Sequence, residues 1–142
     1  MFIIGLDNGF LVKSDKRKLT RTDLPASICY PFDKDFDDLN NGIEIIYKRK
    51  CWGLRNDIMN TFGWRTANDE WQFQIDTPAQ VLTLIELFAR WLDEERWEDE
   101  GNSIWEYKDV RERLVMDIIN LALIYGWMAS NPDAYLEFYD SY

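Results

Sequence analysis

The stretch from Ser103 to Ala129, SIWEYKDVRERLVMDIINLALIYGWMA, decides the fold class. Within it Tyr107, Val110, Leu114, Ile118, Leu121, Tyr125 and Met128 recur at steps of three and four, which lays one apolar stripe along a helix. Ser103 and Glu106 form a capping-box pattern, in which the hydroxyl accepts from the amide of Glu106 while the carboxylate reaches back to the amide of Ser103. With Asn131-Pro132 as the stop signal, the spacing predicts a helix of about 26 residues, roughly 39 Å long. A stripe of that length must be buried against other elements.

The nearest partner lies just upstream. Asp76-Thr77-Pro78-Ala79-Gln80 predicts a helix start with Thr77 as N-cap, Pro78 at the first helical position and Gln80 completing a second capping box. Val81, Leu84, Ile85, Phe88, Trp91 and Leu92 give that helix a broad apolar face to about Glu95. Packed antiparallel, the two helices make an αα-hairpin whose tip carries Asp93, Glu94, Glu95, Glu98, Asp99 and Glu100, with Trp97 among them. Beyond Asn131-Pro132, the residues Tyr135, Leu136, Phe138, Tyr139 and Tyr142 read as a short aromatic tail folded back on the core.

The first half of the chain reads as extended. Phe2 to Leu6 and Phe10 to Val12 flank Asp7-Asn8-Gly9, and Asn-Gly between apolar runs predicts a β-hairpin, since both central positions of a type I′ turn need positive φ. Residues 14–25 read as a loop or exposed linker, because the Lys13 to Arg21 segment is too polar for the core and Leu24-Pro25 breaks any helix, and Ser27 to Tyr30 as a third short strand. Ile43 to Tyr47 is a further strand. Cys51, Leu54, Ile58 and Phe62 then predict a helix from about Arg49 to Thr61 that stops at Gly63. From Trp71 to Ile75 apolar residues alternate with Gln72 and Gln74, the pattern of a half-buried strand. Together these predict an α+β fold in a single domain over residues 1–142: N-terminal antiparallel strands and hairpins with one helix, then a long C-terminal αα-hairpin packed on the sheet.

Composition narrows the function. The 142 residues include seven Trp, seven Tyr and eight Phe, more aromatic surface than a core requires, so some of it belongs at a contact surface. Histidine is absent, which removes the commonest general base, every Ser-His or Cys-His nucleophile and the most frequent transition-metal ligand. No GxGxxG or GxxxxGK[ST] loop is present to hold a nucleotide. Cys29 and Cys51 form no CxxC pair and read as reduced structural thiols. The longest uncharged run, Ile118 to Pro132, is 15 residues and too short to span a bilayer, and the opening residues lack the pattern of a signal peptide; the expectation is a soluble, cytoplasmic protein.

Charge is uneven. Residues 1–70 carry 11 basic and 11 acidic side chains, whereas residues 71–142 carry 5 and 15, so the whole net charge of −10 belongs to the helical half. The basic cluster Lys13, Lys16, Arg17, Lys18 and Arg21 lies near the start. Glu94 and Glu98 stand four apart in a solvated acidic run, with nothing apolar beside them to shift a pKa. Asp117 and Asn120 flank the stripe of the long helix and read as a buried polar pair rather than as an acid–base couple.

A calcium loop is one reading of residues 33–44. Asp33, Asp35, Asp37, Asn41 and Glu44 fall at positions 1, 3, 5, 9 and 12 of a 12-residue loop, where oxygen ligands belong. Position 6, which needs Gly for its sharp turn, is Asp38, position 8 is Asn40 where an apolar residue belongs, and the flanks read as extended. The alternative is an acidic turn that closes on Asn41-Gly42 into the following strand and holds no metal.

The run Tyr47-Lys48-Arg49-Lys50-Cys51-Trp52-Gly53-Leu54-Arg55 resembles the Tyr-Trp-Arg-Lys-Ala-Asn-x-Ile-His stretch that opens a helix in a set of small phage and prophage proteins of unknown function. Tyr47, Arg49 and Lys50 match and Leu54 stands for Ile, while Cys51-Trp52 replaces Ala-Asn and Arg55 replaces His. The resemblance covers about twenty residues, implies a mobile-element origin and transfers no active site; a basic first turn on an amphipathic helix accounts for the same residues.

The function expected from these signals is a non-enzymatic acidic interaction protein. Asp93, Glu94, Glu95, Trp97, Glu98, Asp99 and Glu100 are its expected contact residues, because carboxylates can stand in for phosphates at the Lys and Arg side chains of a nucleic-acid-binding enzyme. Joined to the phage-like run, this points to an inhibitor of a host defence enzyme acting by nucleic-acid mimicry, in the manner of anti-CRISPR proteins. The alternatives are self-association, with the Lys13–Arg21 segment meeting the acidic helices of another copy, and a calcium module built on residues 33–44. Direct nucleic-acid binding is disfavoured by the net charge.

Overall fold

A computed structural model of the protein describes residues 7–32, 42–49, 52–63, 72–95 and 107–141. Along the chain these form β1 (Asp7–Ser14), a 3₁₀ turn (Arg21–Asp23), β2 (Ile43–Arg49), α1 (Trp52–Phe62), β3 (Gln72–Ile75), α2 (Pro78–Asp93), α3 (Tyr107–Ala129) and β4 (Ala134–Ser141). The strands make one antiparallel sheet in the order β2-β1-β4-β3. The fold is α+β.

The aromatic tail is not a tail. Residues 134–141 form an inner strand that pairs along its length with β1, from Ser14↔Ala134 to Asp7↔Ser141, and on its other side with β3. Its even-numbered residues Leu136 and Phe138 point to the same face as Phe10 and Val12 of β1 and Ile75 of β3, and all five are fully buried. Phe10 packs on Phe138 with ring centroids 5.1 Å apart and on Phe88 of α2 at 6.0 Å, edge to face. Leu54 and Ile58 of α1, Val81 and Leu84 of α2, and Leu114, Leu121 and Ile124 of α3 complete this core.

Asn8-Gly9 is not a turn either. β1 runs straight through both residues. Asn8 is fully buried on the helix-facing side, and a Cβ on Gly9 would collide with the carbonyl oxygen of Ile46 and come within 2.9 Å of Glu44 Oε2 and 3.0 Å of the Tyr139 ring. Glycine is here for close approach. One residue on, Phe10 pairs with Ile46 and Leu11 with Glu44, so Ile45 is the extra residue of a β-bulge; Ile45 and Ile46 are both buried as a result.

Other expectations shift by smaller amounts. Ser27 to Tyr30 is irregular rather than a strand; residues 15–25 form a largely exposed loop, as expected, but Leu19 and Leu24 within it and Ile28 after it join the core. Tyr47, Lys48 and Arg49 close β2, so the helix opens at Trp52; it ends before Gly63, whose φ of +72° suits glycine. The start of α2 is as expected: Thr77 Oγ1 accepts from the amide of Gln80 at 3.2 Å, and Gln80 Oε1 accepts from the amide of Thr77 at 3.2 Å. The proposed cap at Ser103 lies outside the described residues, as do residues 1–6 of the expected hairpin.

Helices α2 and α3 pack against each other. Because Ile75 pairs with Leu136, α2 begins at the same end of the sheet at which α3 finishes, so the two run antiparallel and Asp93 stands at the opposite end. At the α3 finish, Asn131 Nδ2 donates to the carbonyl of Trp127 at 2.9 Å, and Trp127 Nε1 donates to the carbonyl of Asp23 at 2.9 Å. None of the described helices is long and apolar enough to cross a membrane.

Two substitutions check this architecture by urea denaturation. Phe138→Ala, in a residue the sequence places in a tail, is expected to cost about 3–5 kcal/mol, as for a core aromatic. Gly9→Ala is expected to cost about 2 kcal/mol or more, where an Asn-Gly hairpin turn would show a smaller effect of backbone preference.

Candidate functional site

Among the described residues, three groupings of ionic side chains link the elements. The first is a row across the helix-facing side of the sheet, formed because Lys48 of β2, Asn8 of β1 and Asp140 of β4 lie opposite one another in register. All three are buried. Arg55, one turn into α1, donates from Nε to Asp140 Oδ2 at 2.8 Å, and Asp117 of α3 meets Lys48 Nζ at 2.6 Å. Asn120, one helical turn beyond Asp117, accepts from the amide of Cys29 at 2.9 Å and donates to the carbonyls of Cys29 at 2.8 Å and Ile45 at 3.0 Å. Arg113 donates to the carbonyl of Tyr47 at 3.4 Å. Carbonyls along β2, an edge strand, are thereby closed off by α3.

Asn120 is thus buried, as expected, whereas Asp117 is half-buried, and each has its own partner rather than forming a pair. Burial pushes the Asp140 carboxyl up to about 6, against the opposing pull of Arg55 and Asn8. A raised carboxyl can mark a general acid. Here it does not, since the Asp140 side chain has no exposed surface through which to meet a substrate.

On the opposite face of the sheet, Glu137 of β4 pairs with Lys13 of β1 at 2.7 Å, and the Tyr139 hydroxyl donates to Glu44 Oε2. Tyr139 reaches over Gly9 to do so, which skips a strand and accounts for the missing Cβ. Glu44, expected as the twelfth position of a calcium loop, is therefore a strand residue with a tyrosine partner. Asp33, Asp35, Asp37 and Asn41 lie outside the described residues, and among the described residues no group of three or more metal-ligating side chains converges.

The third grouping lies at the two ends of the helical layer. At one, Ser14 Oγ donates to Asp133 Oδ2 at 2.7 Å, Arg17 Nε to the same oxygen at 2.9 Å, and Arg17 Nη2 to Asn131 Oδ1 at 2.8 Å. Arg17 and Ser14 hold the Asp133 carboxyl down at about 2. Arg21 stacks 4.1 Å from the Tyr30 ring centroid. Much of the basic segment is thus used within the chain, at a helix C-terminus that favours cations. At the other end, Asp93 is the last residue of α2, Glu94 its C-cap, and Glu95 adopts φ +57°. All three are exposed. Trp97, Glu98, Asp99 and Glu100 lie outside the described residues.

Sequence reasoning missed Lys48, Asn8, Asp140 and Arg55. The signal was present in the tail, where Ala134, Leu136, Phe138 and Asp140 alternate with Tyr135, Glu137 and Tyr139, a period of two that marks a strand. No family model, curated protein or solved structure matches the chain.

The Asp140 carboxyl sets a pH dependence. An unfolded Asp titrates near 3.9, so the fold favours the protonated form; that stabilisation is full below about pH 4 and is lost as pH rises through about 6, by roughly 3 kcal/mol at most. Asp133, held low, acts in the opposite sense only below about pH 4. Urea midpoints at pH 4, 5, 6 and 7 are expected to fall with a steeper slope in the wild type than in Asp140→Asn, and equal slopes would remove Asp140 as the source.

Proposed function

We propose that the protein is a non-enzymatic interaction module whose acidic end docks on a basic surface of another protein, such as the groove with which an enzyme holds nucleic acid. What carries this reading is the placement of Asp93, Glu94 and Glu95. They are exposed at the C-terminal end of a helix, where the partial negative charge of the helix opposes carboxylates, and Glu95 sits in a backbone region that side chains disfavour. Each choice has a local cost in stability. Residues that break local rules in an exposed position are best explained by what they meet.

The chain's cations sharpen this surface. Lys13, Arg17, Lys48 and Arg55 are each held by a carboxylate of the same chain, namely Glu137, Asp133, Asp117 and Asp140. Trp97, Glu98, Asp99 and Glu100 follow in sequence and add three carboxylates to the run. A cluster of carboxylates spaced along a helix terminus competes for Lys and Arg side chains that otherwise bind phosphates, and its field raises the rate of encounter. An inhibitor of a phage-defence enzyme, acting by nucleic-acid mimicry, is the form of this function that also accommodates the phage-like run at Tyr47–Arg55. Absence of histidine and the internal commitment of the buried carboxylates support a non-catalytic role.

Immobilised protein is expected to retain a nucleic-acid-binding enzyme from a bacterial lysate at low salt and to release it on addition of duplex DNA. The triple variant Asp93→Lys/Glu94→Lys/Glu95→Lys is expected to bind the retained enzyme roughly 10- to 100-fold more weakly with an unchanged circular dichroism spectrum. Undiminished affinity in the folded variant would contradict the assignment to this end.

A further inference from the structure

We draw no further inference here: the strongest candidate, the outward face of α3 with its exposed Met116, Ile119 and Gly126, is an apolar helix face, and nothing among the described residues shows what covers it.

Discussion

Everything in this fold depends on the insertion of β4 between β1 and β3. Until residues 134–141 are in place, β3 has no strand to pair with and is not joined to β1, and the core has no Leu136 or Phe138. Both faces of β4 are engaged. On the helical side Phe138 meets Phe10, and Asp140 meets Arg55 of α1; on the other, Glu137 meets Lys13 and Tyr139 reaches Glu44 across Gly9. The partners stand 85 to 128 residues away in sequence, so the sheet closes only through long-range pairing, which carries a large loop-closure cost.

The same insertion decides where charge ends up. Cations of the first half of the chain are consumed by carboxylates of the second: Lys13 by Glu137, Arg17 by Asp133, Lys48 by Asp117 and Arg55 by Asp140. A chain whose halves differ by ten charges thus pairs four of its cations internally, and Asp93, Glu94 and Glu95 stand exposed at the far end of α2. Buried ion pairs of this kind add little net stability, but losing one partner is costly, which ties the halves together as a unit.

The helices were legible because their signals are local. Thr77, Pro78 and Gln80 specify the start of α2, and three-four spacing places Leu114, Leu121 and Met128 on the buried side of α3, although Tyr125 of the same stripe is exposed. Strand order was not legible, since pairing is a long-range property and the local signs pointed elsewhere. Asn8-Gly9 carries the mark of a hairpin, yet glycine is needed there by a carbonyl of β2 and a tyrosine of β4, neither of which a short window contains. Leu19, Leu24 and Ile28 look isolated in a basic loop until α3 supplies the surface they cover. Glu44 fits a ligand position on spacing, but its hydrogen-bond partner is 95 residues away. At the acidic end, position on a helix C-terminus was readable from the sequence, whereas the left-handed backbone of Glu95 was not.

The central claim is that the C-terminal residues are the inner strand on which the fold closes, and native-state amide hydrogen exchange tests it most directly. The amides of residues 136–140 are expected to exchange only through global unfolding, with the same denaturant dependence as those of β1. Exchange of these amides at a free energy well below that of β1, as for a tail laid over a finished core, would contradict the account.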